Sequence, residues 1–147
     1  MLGRKRIDQV DSYKYIGLDF KGNMSLNLFK GRLAEKAKKT MGISWTMGIR
    51  SGFLSVKAAI KIWQILVRPR LEYGCQIWGG TPWRKAELIQ RNMGRRILGA
   101  RTNPNNEVVY GELGWWPLTA RRGMLRLRYW QKLLSMDATR LTRILYS

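Results

Sequence analysis

The 147-residue sequence has no histidine and a single cysteine, Cys75. These two absences exclude a zinc site built from Cys and His, a histidine general base, a Cys–His nucleophile pair and an internal disulfide. Cys75 stands between Gly74 and Gln76 in an apolar stretch, where a small buried hydrophobe is expected rather than a reactive thiol. Acidic side chains are scarce as well. No two of the nine are adjacent, and their scatter offers no carboxylate pair for metal-assisted phosphoryl transfer. Glycine is plentiful but forms no phosphate loop; KGN at 21–23 and LGA at 98–100 read as a turn and a helix stop. The richest apolar stretch, Ala58 to Val67, is interrupted by Lys61 and is too short to span a bilayer. The opening Gly3-Arg4-Lys5-Arg6 leads into polar sequence, so no signal peptide is expected. These exclusions lead to an intracellular protein, nuclear or cytoplasmic, with no membrane partner, no metal and no cofactor.

What the chain has in excess is positive charge. Twenty-eight Lys and Arg residues against nine acids give +19 and a pI near 11. Self-repulsion at that charge is unfavourable unless a polyanion offsets it, and nucleic acid is the expected partner. Disorder is not expected: 45% of the residues are hydrophobic, with 7 Trp, 6 Tyr and 3 Phe, enough apolar surface to offset the entropy of ordering. Cations interleaved with rings suit nucleic acid, since Arg and Lys contact phosphates and exposed rings stack on unpaired bases.

Along the chain, residues 1–22 differ from the rest. KRIDQV, a turn at Asp11-Ser12 and the strand YKYIGLDF predict a β-hairpin, closed by a second turn at Lys21-Gly22-Asn23. Within YKYIGLDF the period of two puts Ile16, Leu18 and Phe20 on one face and Tyr13 and Tyr15 on the other. A lone hairpin is marginally stable and wants a sheet or helix to lie against. From Ser25 onward the signals are helical. Ser25 caps a first helix with the apolar stripe Leu26, Phe29, Leu33, Ala37 and Met41. A second helix is predicted from Ser55 to about Trp78, kinked or broken at Pro69 and ended by Gly79-Gly80. Thr81-Pro82 restarts the chain as a third helix, with Ala86, Ile89, Met93 and Ile97 on one stripe and Gly99 as the stop. Residues 100–116 connect, with one or two helical turns in EVVYGELG. Trp115-Trp116 reads as a hydrophobic staple before a fourth helix, which runs from Pro117 to about Met136. A short tail helix capped by Asp137 follows.

Four segments, YKYIGLDF, LVRPRLEYGCQIW, ELIQRNMGRRILGA and YGELGWWPLTARR, together resemble the C-terminal part of reverse transcriptases of non-LTR (LINE-type) retrotransposons. They occur in that family's order from about Tyr13 to Arg128. The resemblance implies that Tyr15-Ile16-Gly17, with Ile where the family has Leu, corresponds to the primer-grip region at the end of the palm. Lys14, Tyr15 and Gly17 are then the primer-grip residues. The helices correspond to the thumb, which holds a template–primer duplex, and the segment beyond it. The family's adjacent metal-binding aspartates, its fingers and its Cys/His-rich knuckle have no counterpart here. A polymerase fragment or the product of a truncated element is therefore implied, with no catalysis of its own.

The expected fold is mainly α, an N-terminal β-hairpin over 1–22 followed by a thumb-like bundle of about four helices and a C-terminal extension over 23–147. The expected function is to grip an RNA/DNA template–primer duplex through its backbone. The residues expected to do so are Lys36 and Lys39 in the first helix and Arg91, Arg95 and Arg96 in the third. Arg121, Arg122, Arg126 and Arg128 complete the set from the fourth. Two other readings are open: a helical interaction module that completes a polypeptide carrying the missing palm and fingers, and a relic without function.

Overall fold

Ala86, Ile89, Met93 and Ile97 recur at the helical period, and all four are buried along one helix, α5 (Arg84–Ile97). That helix is the reference for the rest of the fold. In the computed structural model, which describes residues 10–15, 17–21, 25–100 and 102–144, the chain is mainly helical. A hairpin of β1 (Ser12–Tyr15) and β2 (Leu18–Lys21) is followed by α1 (Asn27–Ser44), α2 (Val56–Ile62), α3 (Arg68–Glu72) and α4 (Cys75–Trp78). After α5 come α6 (Asn106–Leu113), α7 (Leu118–Leu134) and α8 (Leu141–Ile144). By contacts the chain forms two units, residues 1–32 and residues 33–147.

In the first unit the hairpin lies later than expected. The single strand predicted over YKYIGLDF folds back on itself, pairing Ser12 with Lys21, Tyr13 with Phe20, Lys14 with Asp19 and Tyr15 with Leu18. The positions assigned to opposite faces of one strand are thus cross-strand partners. The cause is Gly17, whose φ of 80° suits the two-residue turn that closes a hairpin and that L side chains rarely adopt. The strand predicted over 5–10 lies mostly outside the described residues.

The second unit is built on buried stripes. Leu33, Ala37 and Met41 are buried on α1, as the spacing predicts, and Ala34, outside the predicted stripe, is buried beside them. A wide turn over Trp45–Ile49 ends that run at Gly48, where φ reaches 129°. Ser55 caps α2 as expected, its hydroxyl accepting from the Ala58 N–H at 3.3 Å. The predicted break at Pro69 does not occur there. A π-helical turn over Trp63–Val67 runs between α2 and α3, with the Arg68 N–H bonded to the Trp63 carbonyl. Widening the helix just before Pro69 relieves the clash of its ring with the preceding turn. The chain instead breaks at Tyr73-Gly74, where Gly74 has φ 65°.

Two further start signals shift. Thr81 does not cap α5; its hydroxyl turns back to the Trp78 carbonyl at 3.2 Å, and α5 begins at Arg84, two residues after Pro82. Trp115-Trp116 is not a staple pair. Trp115 stacks on Trp63 with centroids 5.1 Å apart, whereas Trp116 is 72% exposed and gives its carbonyl to the Gln90 side chain at 2.9 Å. The tail departs in detail too. The Asp137 carboxylate accepts from the Thr139 N–H and hydroxyl at 2.9 and 2.8 Å, a local turn four residues ahead of α8, and these bonds hold its carboxyl below the usual range. No helix of the described residues is long and apolar enough to cross a membrane.

Candidate nucleic-acid interface

The sequence nominates nine cations across three helices, and the fold separates them into three groups. Lys36 and Lys39 on α1, Arg96 on α5 and Arg126 and Arg128 on α7 are exposed. Arg91, Arg95 and Arg121 are half-buried and engaged. The Arg95 guanidinium donates to the Pro104 carbonyl at 3.0 Å and to Asn106 Oδ1 at 3.4 Å, and Arg91 donates to the same Oδ1 at 3.4 Å. Both therefore pin the connector that leads into α6. Arg121 meets Glu72 in a two-pronged pair, Nε to Oε1 at 2.7 Å and Nη2 to Oε2 at 3.4 Å, which fastens α7 to α3.

Arg122 corrects the sequence-based expectation. Its side chain is fully buried, so in this fold it contacts no polyanion. The guanidinium carbon lies 5.7 Å from both the Trp78 and Trp83 rings, which meet edge to face at 5.3 Å. Nη2 reaches Thr119 Oγ1 at 3.3 Å and Glu87 Oε1 at 3.6 Å. Burial pulls its pKa down, and the Glu87 carboxylate beside it works the other way. The same carboxylate caps α7 from across the core, accepting from the N–H groups of Leu118 and Thr119 at 3.2 and 2.6 Å. A helix N-terminus favours negative charge, so Glu87 serves two positive partners at once.

Of the five exposed cations only Arg96 lines a groove between α1 and α5, a cavity of about 420 Å³, where Lys38 and Lys85 join it; Lys36, Lys39, Arg126 and Arg128 lie outside that lining. Lys38 from α1 and Lys85 and Arg96 from α5 line the groove, together with Met41, Leu88 and Ile89. No carboxylate lines it. Arg96 lies over the Trp45 ring at 5.3 Å, which fixes a guanidinium on the groove wall. Glu35 reaches only one of these cations, Lys38, at 3.0 Å in an exposed pair that is worth little. Lys38 and Lys85, which line the groove, stand outside the nine cations the sequence nominates. The signal was available: Lys85, Leu88, Asn92 and Arg96 fall at steps of three and four, one stripe of α5 beside its core stripe.

The remaining candidates sit on the hairpin. Lys14 is exposed in β1, Tyr15 ends that strand, and Gly17 forms the turn. Cys75 is buried at the start of α4; burial first, and then the Glu72 carboxylate, push its thiol pKa up, which disfavours the nucleophilic thiolate. Among the described residues no group of three or more His, Cys, Asp or Glu side chains is placed to hold a metal ion. Compared with known proteins, the chain matches no family model, no curated protein and no solved structure.

Proposed function

We propose that this chain binds nucleic acid, holding a template–primer duplex by its sugar–phosphate backbone along the α1–α5 groove. The reading extends the resemblance to the thumb of non-LTR retrotransposon reverse transcriptases, and the chain performs no polymerisation by itself. The observation that carries it is the groove itself, with Lys38, Lys85 and Arg96 on its walls and no carboxylate lining it, in a chain of net charge +19. Lys36 and Lys39 add exposed charge on other faces of α1, outside the groove. Such contacts fix a duplex in place without reading its sequence.

The test is fluorescence anisotropy with a blunt duplex over a salt series. Each neutralised phosphate releases counterions, so log affinity falls linearly with log salt, by about 0.9 per contact on B-form DNA. Lys85→Ala is expected to make that slope shallower by roughly one contact and to weaken two unrelated sequences equally. Arg95→Ala is expected to leave the slope alone, because its guanidinium is engaged with Pro104 and Asn106. An affinity that does not respond to salt, or a slope unchanged by Lys85→Ala, would overturn the reading.

A further inference from the structure

Beside α4, away from Lys38, Lys85 and Arg96, lies a second and larger groove of about 660 Å³. Its walls come from α4, α7 and α8. Ile77, Leu127, Tyr129 and Trp130 make it apolar, while Gln76, Arg126 and Thr142 supply polar groups. Trp130 is 44% exposed and Tyr129 39%, unlike Trp63, Trp78 and Trp83, whose rings are core. The Arg126 guanidinium lies against Gly80, so close that a Cβ at that position would collide with it. Glycine there leaves room for the guanidinium, and Arg126 lines the apolar slot. Arg128 and Lys132, exposed on the same helix, fall on its opposite side by helical spacing and line no part of the groove. No acidic side chain lines the groove.

We propose that this groove takes unpaired nucleotides, their bases against Trp130 and Tyr129 and a phosphate toward Arg126. The proposal deepens the nucleic-acid reading above, on which it rests, by assigning single-stranded nucleic acid to a site separate from the duplex groove. Charge decides the occupant. A second copy of the chain would bring another +19 against a chain of the same charge, and an apolar helix would leave Arg126 uncompensated. A single strand presents both what the slot lacks and what it can hold: a phosphate for Arg126 and flat apolar faces for the rings. Stacking is tolerant of sequence because every base has such a face. The amide of Gln76 and the hydroxyl of Thr142 offer hydrogen bonds to base edges.

The test compares a labelled ten-nucleotide thymidine strand with a blunt duplex, by anisotropy at one fixed salt concentration. Trp130→Ala is expected to weaken the single strand by roughly 5- to 150-fold, the range for losing one stacked base, with the duplex changed less than twofold. Trp130→Phe keeps a ring and is expected to restore most of that loss, which separates stacking from damage to the fold; circular dichroism of both variants checks the helices. Lys85→Ala is expected to do the reverse, weakening the duplex and sparing the strand. Equal weakening of strand and duplex by Trp130→Ala, or none, overturns the inference. So does failure of Trp130→Phe to recover binding, or a strand displaced from the groove by an acidic amphipathic peptide that binds more tightly. Loss of all duplex binding in the unaltered chain would instead sink the reading beneath it, and the two failures are thereby told apart.

Discussion

The two ends of α7 have similar compositions and opposite surroundings. Its first turns hold Arg121 and Arg122, one paired with Glu72 and the other buried between two indoles. Its later turns hold Arg126, Arg128 and Lys132, all exposed among rings and leucines. Nothing in the helix itself distinguishes these cations. The difference comes from what other elements bring: Glu72 from α3, Trp78 from the end of α4, Trp83 just ahead of α5 and Glu87 from within it. Two of the nine acids in the chain, Glu72 and Glu87, therefore determine which cations of α7 are held inside the fold. A cation enclosed by carboxylate and indole secures the fold, whereas one left outside contributes to the field that attracts a polyanion.

The largest way to break this contrast is to remove Arg122. Arg122→Ala is expected to destabilise the fold by about 3–5 kcal/mol, the range for taking one member from a buried ion pair, through the lost pairing with Glu87 and the space left between the indoles. Arg122→Met fills much of that space without charge and is expected to cost clearly less. Urea unfolding of the two variants beside the unaltered chain checks both. Equal losses would mean that the charge, and not the packing, is what the two tryptophans require.

This arrangement also marks how far the sequence could be read. The stripe of α5 was legible because one helix carries its own period, and Ala86, Ile89, Met93 and Ile97 are all buried. The start of α2 was legible because Ser55 caps within three residues. Arg122 was not, since its neighbours Trp78 and Trp83 lie about forty residues back along the chain, and helical spacing only pairs it with Arg126. The hairpin was misplaced for a local reason: Gly17 outweighed the turn signal at Asp11-Ser12. At Pro69 the rule for proline held in substance, but the strain was absorbed one turn earlier, as a π-turn. In the interface, charge was legible and its availability was not. Arg91, Arg95 and Arg121 look like Arg96 until the Pro104 carbonyl, the Asn106 amide and Glu72 are placed beside them.

Glu87 sharpens the comparison from the acidic side. Glu87→Gln keeps one acceptor oxygen but turns an amide toward donors that now meet a carboxylate, and it removes the negative charge from the N-terminus of α7. A loss of about 1–2 kcal/mol is expected, the scale of a capping contact with its dipole contribution. Combining it with Arg122→Met tests whether the two act as a unit. Residues in one network are non-additive, so the double variant is expected to lose less than the sum of the singles. Strict additivity in urea unfolding would show that Glu87 serves the α7 cap alone.

The smallest effect on stability is expected at the other end of the helix, and there the contrast is most exposed to test. Arg128 lies seven residues after Arg121, on the same stripe of α7, and its side chain is exposed. Arg128→Ala is expected to change stability by less than about 0.5 kcal/mol, as surface substitutions usually do. On a duplex with a single-stranded tail it is nevertheless expected to make the salt slope shallower by up to roughly one contact. Arg121→Ala should show the opposite pair of results. Its loss leaves Glu72, only 11% exposed, with the more distant Arg68 at 3.7 Å, so stability falls while the slope stays. Urea unfolding and anisotropy over a salt series, run on both variants, give four numbers. If Arg121→Ala alters the slope as much as Arg128→Ala does, the Glu72 pair opens for the ligand and the division of α7 into a fastened end and a binding end is wrong.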